Sequence, residues 1–196
     1  MIRLVLFLFL VLFPAGSNKS NDSSFGLQRD NASLTISGTS TLHSWKMQLK
    51  TFDCSADFII KDNRLSEIDQ VSFSCKAADL ESESSMMDKK AHSALKSDTF
   101  PEIKFDITAP SEIKSGNNKY AATVTGLLYL AGKSKTVTVP VSTELSNLNG
   151  SNVIIVTGQT ELKMSDFGVS PPVLMMGALK TGDAVSVSFS LTFSRN

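Results

Sequence analysis

The sequence predicts an all-β fold, an antiparallel up-and-down eight-stranded barrel with one short helix. Three observations carry that expectation. Apolar residues recur with period two along most of the chain, turn-forming residues separate those runs at short intervals, and one segment alone shows helical spacing.

Taken in order, SLTISGTSTLHSWKMQLK carries Leu34, Ile36 and Leu42 on one parity and Trp45, Met47 and Leu49 on the other, which calls for a bulge or bend within it. In TFDCSADFII, residues Phe52, Cys54, Ala56, Phe58 and Ile60 share one face, and in VSFSCKA so do Val71, Phe73, Cys75 and Ala77. If the connection KDNRLSEI pairs Ile60 with Asp69, Cys54 falls opposite Cys75. That setting leaves open a disulfide between Cys54 and Cys75 and, equally, two buried free thiols.

Next comes SSMMDKKAHSALKS. Ser85 with Asp88 three residues later resembles a capping box, and Ala91, Ala94 and Leu95 follow at helical spacing, so a helix of about three turns is expected from Met86 to Lys96. Pro101 then opens the next strand. KYAATVTGLLYL, KTVTVPV, VIIVTGQTELKM and AVSVSFSLTF complete the series, with Pro140 on the outward parity, where an edge or bulge has to accommodate it. Turns are expected at Asp62 with Asn63, Gly116 to Asn118, Ala131 with Gly132, Asn149 with Gly150, and Thr181 to Asp183. Composition alone does not separate a sandwich from a barrel. Long strands and the lack of an evident Greek-key crossover favour the barrel.

The length, 196 residues with 41% hydrophobic, suits one domain with a sizeable core. Nineteen basic residues balance nineteen acidic ones without a long run of either sign, which argues against electrostatic capture of nucleic acid. The start, MIRLVLFLFLVLFPAGS, has a basic residue, an apolar run from Leu4 to Phe13 and then small residues, the layout of a signal peptide over residues 1–17. Residues 18–23 read as a polar, disordered lead-in, and residues 24–196 as the barrel domain. Periplasmic or secreted location is expected. Four Asn-x-Ser sequons, at Asn18, Asn21, Asn31 and Asn149, would matter only in a eukaryotic secretory route.

Catalytic and metal signatures are missing from the sequence. His43 and His92 lie on different elements, and no HExxH, paired-cysteine, GxSxG or dinucleotide-binding pattern occurs. No enzymatic activity, cofactor or metal is therefore expected. His43, beside Trp45, fits either a polar contact to a ligand or a backbone hydrogen bond at a strand irregularity. His92 follows Asp88 by four residues, ordinary helix-surface pairing.

Apolar side chains stand in unusual places. Met86 and Met87 open the helix, Phe100 follows it, and SDFGVSPPVLMM runs from Phe167 through Pro171 and Pro172 into Val173, Leu174, Met175 and Met176. The two prolines offer no backbone donors, so this segment should leave the sheet and cover one end of the barrel. Methionine adapts its shape and suits pockets for flexible aliphatic chains as well as core gaps.

Three stretches carry a family resemblance: MDKKAHSALKSDTFPEIKFDI, VTGLLYLAGKSKTVTVPV, and MSDFGVSPP followed by LKTGDAVSVSF. Through them the chain resembles the YceI-like family of exported polyisoprenoid- or lipid-binding proteins. STLHSW and Asp98-Thr99-Phe100 depart from that pattern and mark a variant branch. The resemblance implies a lipocalin-like barrel holding an isoprenoid or other long aliphatic lipid, without catalysis. Candidate wall residues are Phe52, Phe58, Phe73, Phe105, Leu128, Ile155 and Met164, with strand parity leaving the choice between Ile154 and Ile155 open. Met86, Phe100, Phe167, Leu174 and Met175 are candidates near an opening, with His43 and Trp45 as further contacts. Pairing of two barrels and transient membrane contact are both compatible with this picture, as is a ligand-free interaction or stress-protective module on the same barrel.

Overall fold

The computed structural model describes residues 24–195, apart from 63, 116–119, 149 and 175–177; the expected signal peptide, lead-in and Gly116–Asn118 turn lie outside the described residues. Strands in chain order are β1 (Ser24–Leu27), β2 (Ser33–Ser40), β3 (Ser44–Leu49), β4 (Phe52–Lys61), β5 (Arg64–Lys76) and β6 (Leu80–Glu81). Helix α1 (Ser85–Leu95) follows, then β7 (Glu102–Ile107), β8 (Ser111–Glu112), β9 (Lys114–Ser115) and β10 (Tyr120–Leu130). The chain finishes with β11 (Lys133–Leu148), β12 (Ser151–Lys163), β13 (Val173–Leu174) and β14 (Leu179–Arg195).

Eight of these strands close a ring in the order β1, β4, β5, β7, β10, β11, β12, β14, and the pairing of β14 with β1 completes it. Ring order follows chain order and every pairing is antiparallel, the up-and-down barrel that period-two patterning anticipates. Closure removes the edges an open sheet would expose. The long β14 serves two partners on one side: Phe193 to Arg195 meet β1, while residues from Thr181 to Ser190 meet β2. From β2 the sheet continues through β3 to β6, which leads into the helix.

Alternation sets the core. Along β4, Phe52, Cys54, Ala56 and Phe58 are buried while Asp53 and Ser55 are exposed. At one end of the barrel, Phe25 meets Phe58 edge-on at 5.3 Å between centroids, and Phe58 meets Phe193 at 5.6 Å. Ile68 and Ile154 pack in the same core, so this end is filled by side chains. At the other end lies α1, whose Met87, Ala91 and Leu95 pack on the core.

The helix begins one residue earlier than its sequence predicts. Ser84 is the N-cap and accepts from the Met87 amide, while Asp88 accepts from the Ser82 amide at 2.7 Å and hydroxyl at 2.6 Å. Asp88 is thus engaged with the preceding loop. His92 does not pair with it; the His92 Nε2 lies 2.8 Å from the Leu80 carbonyl and ties the helix to β6.

Several register expectations are corrected. Ile60 pairs with Leu65 and not with Asp69, because Leu65 and Ile68, at 3% and 1% exposure, are drawn into the core and extend β5 back to Arg64. A turn at Asp62 (φ 50°) and two register shifts then place Cys54 opposite Phe73 and Cys75 opposite Phe52. No disulfide joins them; both thiols are free. The parity change after Leu42 is a hairpin turn between β2 and β3, where the Ser40 amide donates to the His43 carbonyl. Thr181 to Asp183 form no turn but a register shift within β14. Ala131 and Gly132, at φ 50° and 80°, do form the expected tight turn, the pair of left-handed residues a two-residue hairpin needs.

Pro140 faces outward opposite Thr123 of β10. On its other side the ladder with β12 runs from Leu148 to Val141 and ends there, at the residue after the proline.

Candidate functional site

Inside the barrel is a cavity of about 160 Å³ with an entirely apolar exposed lining. Its floor is Phe58 and Phe193, and its walls come from β2, β4, β5, β7, β10, β11, β12 and β14. An engineered apolar cavity of about 150 Å³ stays dry and admits a benzene-sized guest, so this one is large enough for part of a slender hydrophobic molecule.

Aromatic rings lying over glycines keep that space open. A Cβ on Gly158 would sit 2.4 Å from the Phe189 ring, and one on Gly126 2.4 Å from the Phe105 ring. Both rings line the cavity, and the missing side chains let them lie against the wall. The polar residue in the lining, Thr160, has its hydroxyl 3.4 Å from the Thr138 carbonyl, to which it donates. Cys54 also contributes to the wall, and burial pushes its thiol up to about 12. Cys75 is likewise pushed up to about 12, by burial and then by Asp79. Neither thiol has the reactivity of a nucleophile near neutral pH.

The wall residues expected from sequence divide. Phe58, Phe73, Phe105 and Leu128 line the cavity. Phe52 is buried behind it, its ring 5.8 Å from that of Phe73. Ile155 is corrected: it lies on the opposite parity from Ile154 and Val156, so Ile154, 1% exposed, is the inward residue and packs at the floor. Met164 begins a 3-10 turn and joins a smaller cluster with Phe167, Val169 and Ala131.

Of the expected opening residues, Phe100 and Phe167 both stand by the Ala131–Gly132 turn. Phe167 is 1% exposed in that smaller cluster, beside Ala94 and Leu95 of the helix, so it closes part of this end. The Phe100 ring lies over Gly132. Met86 is 67% exposed. Leu174 pairs with Leu179 in β13, so the segment after the two prolines returns to the sheet for two residues, and Val173 stands exposed. Met175 lies outside the described residues. His43 is exposed, with Nδ1 2.8 Å from the Ser44 carbonyl, the backbone role at a turn. Trp45 folds its ring across Gly38 and donates from Nε1 to the Thr39 carbonyl at 3.1 Å. Among the described residues no group of three or more His, Cys, Asp or Glu side chains is arranged to hold a metal ion.

Sequence reasoning missed the valines. Val124, Val137, Val139, Val141, Val156 and Val187 all line the cavity. The inward parity of Val137, Val139, Val141 and Val187 is readable in KTVTVPV and AVSVSFSLTF, but nothing local distinguishes a small side chain that leaves room from one in a filled core.

The YceI-like domain model matches residues 25–193. The chain belongs to the YceI-like family. Among solved structures, this YceI-like domain is similar to BcnA of Burkholderia cenocepacia, with 20% identity over 85% of this chain and 98% of that one, at a TM-score of 0.64. It is also similar to a polyisoprenoid-binding domain from Saccharophagus degradans implicated in plant cell wall breakdown, with 11% identity, 89% and 99% coverage and a TM-score of 0.64. A Campylobacter jejuni YceI protein matches at 17% identity, 76% and 84% coverage and a TM-score of 0.60. At these identities the likenesses establish a shared barrel fold. No curated protein matches the chain by sequence.

Proposed function

We propose that this YceI-like domain binds a long-chain hydrophobic molecule, an isoprenoid or another lipid, within the barrel, and stores or carries it outside the cytoplasm without altering it. The observation that carries the reading is the apolar hollow of about 160 Å³, whose threonine hydroxyl is already engaged by the barrel's own backbone. Such a lining offers a guest no polar anchor. Affinity then comes from the tail, at about 0.8 kcal/mol per methylene removed from water. The hollow takes part of a long chain at once, so the remainder has to displace wall side chains or extend from the barrel.

Family membership and the polyisoprenoid-binding relative support the ligand class. The signal-peptide layout of residues 1–17 supports export. The absence of chemistry is supported by the lining itself, whose titratable side chain is a cysteine thiol raised well out of the reactive range.

Organic extraction of purified, untagged protein followed by mass spectrometry tests the reading. A hydrophobic compound at about one per chain is expected. Repeatedly empty preparations that also fail to take up cis-parinaric acid, a fluorescent long-chain polyene, would leave the barrel as a ligand-free interaction module.

A further inference from the structure

A guest needs a way in, and among the described residues packed side chains stand at both ends of the barrel. Phe25, Phe58 and Phe193 stack across one end. Among the described residues at the other end, Met87, Ala91 and Leu95 of the helix pack on the core, and Phe167 and Val169 are buried beside it.

The wall has a weak line. β11 and β12 are hydrogen-bonded neighbours from Leu148/Ser151 to Val141/Gly158, and there the ladder ends although both strands continue. The cause is local: Pro140 has no N–H to donate toward β12. Beyond it, the Thr160 hydroxyl donates to the Thr138 carbonyl at 3.4 Å, where a backbone donor would otherwise stand. Farther along, Lys135 and Asp166 form an ion pair at 2.6 Å with side chains 48% and 38% exposed, a contact that solvent weakens.

This seam lies over the cavity. Val137 and Val139 form one lip, Thr160 and Leu162 the other, and all four line the hollow. Outside, a groove of about 700 Å³ begins where the strands part, lined by Pro140, Ser142, Gly158 and Gln159 among others. Val141 lines both spaces, so a single residue's thickness separates groove from hollow. Among the described residues, parting the lips breaks one side-chain hydrogen bond and one exposed ion pair and loosens the packing of Val137 on the Phe167 cluster. Leaving by an end requires moving packed aromatic rings or the helix.

We propose that the hydrophobic guest enters and leaves through the barrel wall, between β11 and β12, with the hydroxyl of Thr160 on the carbonyl of Thr138 as the latch. This rests on the reading of the hollow as a lipid site. It assigns Pro140 a functional part: it keeps a backbone ladder from sealing the wall.

The test is a clamp. Thr138→Cys with Glu161→Cys places cysteines where the two strands would face each other if the ladder continued. Stopped-flow exchange of cis-parinaric acid is compared between the oxidised and reduced forms of this variant, with the bridge verified by mass. Oxidation should slow both association and dissociation by about tenfold or more, leave Kd nearly unchanged, and be reversed by reduction. Glu161→Cys with Ser186→Cys joins β12 to its regular partner β14 at an existing pair and should leave the rates alone. Thr160→Val, which removes the latch without a bridge, should speed exchange in both directions. Rates indifferent to a verified clamp and to Thr160→Val would overturn the portal and assign exchange to the helix end. Failure of the unmodified protein to bind the probe at all would instead remove the lipid-site reading on which the portal depends.

Discussion

Phe189 lies across Gly158, its directly opposed partner on β12, so closely that a Cβ on the glycine would be 2.4 Å from the ring. The ring fills the space a side chain would have taken and stays against the wall. Gly158→Ala should push it toward the hollow, at about 1–3 kcal/mol of stability for the overpacking. Probe affinity should fall by about tenfold or more, read by cis-parinaric acid titration beside urea unfolding. Gly126→Ala should act likewise on Phe105, at a larger cost in stability because its Cβ would also lie 2.6 Å from the Asp106 backbone carbonyl. A protein that loses stability but binds the probe unchanged would show that the rings do not set the cavity.

Phe58 touches both Phe25 and Phe193 and forms part of the cavity floor. Phe58→Ala should cost about 3–5 kcal/mol, since the surrounding rings can collapse only partly. The deepened hollow should let saturating ligand restore more stability than it adds to the unsubstituted protein, which melting curves with and without probe would measure.

Thr143 is 1% exposed, and its hydroxyl has no hydrogen-bond partner. Replacing the hydroxyl by a methyl removes a desolvation penalty, so Thr143→Val should stabilise the protein by about 1 kcal/mol in urea unfolding. A loss of stability would mean that the hydroxyl is satisfied in solution by a bound group.

The thiols of Cys54 and Cys75 are both pushed up to about 12, first by burial. Native protein at pH 8 should therefore resist iodoacetamide at both positions, while unfolded protein reacts at both, as counted by mass. The sign for stability follows: the folded state holds these protons more tightly than the unfolded chain. Their contribution is complete below the ordinary thiol value of about 8.5 and is lost as pH rises toward 12. Unfolding should become easier across that alkaline window.

Asp183 accepts from the Ser165 hydroxyl at 2.6 Å and amide at 2.8 Å, and these bonds hold its carboxyl below the usual range. They tie β14 to the turn that carries Phe167. The lowered value means the tether is present above the ordinary carboxylate pKa and weakens as pH falls through the lower folded one. Asp183→Ala should speed amide exchange at Gly168 and Val169 at neutral pH, with little effect on the barrel strands.

Which side chains face inward was legible wherever a strand alternated cleanly. Phe58, Phe73 and Phe105 belong to such runs and line the hollow. In VIIV the parity signal is blurred by four successive apolar residues, so Ile154 and Ile155 were not separable until the β11 pairing was known. KDNRLSEI reads as a polar connection, yet Leu65 and Ile68 are core residues that pull it into β5 and separate the two cysteines.

By itself the sequence determined the long strands from β4 onward, the helix, the tight turn at Ala131 and Gly132 and the polarity of each face, because side-chain parity and capping depend on near neighbours along the chain. The short β1 that closes the ring carried too few residues to show a period. Tertiary structure alone decided register, ring closure, the hollow and the parting of β11 from β12. Those depend on which distant residues meet and on how much volume they leave between them, and no local pattern encodes that sum.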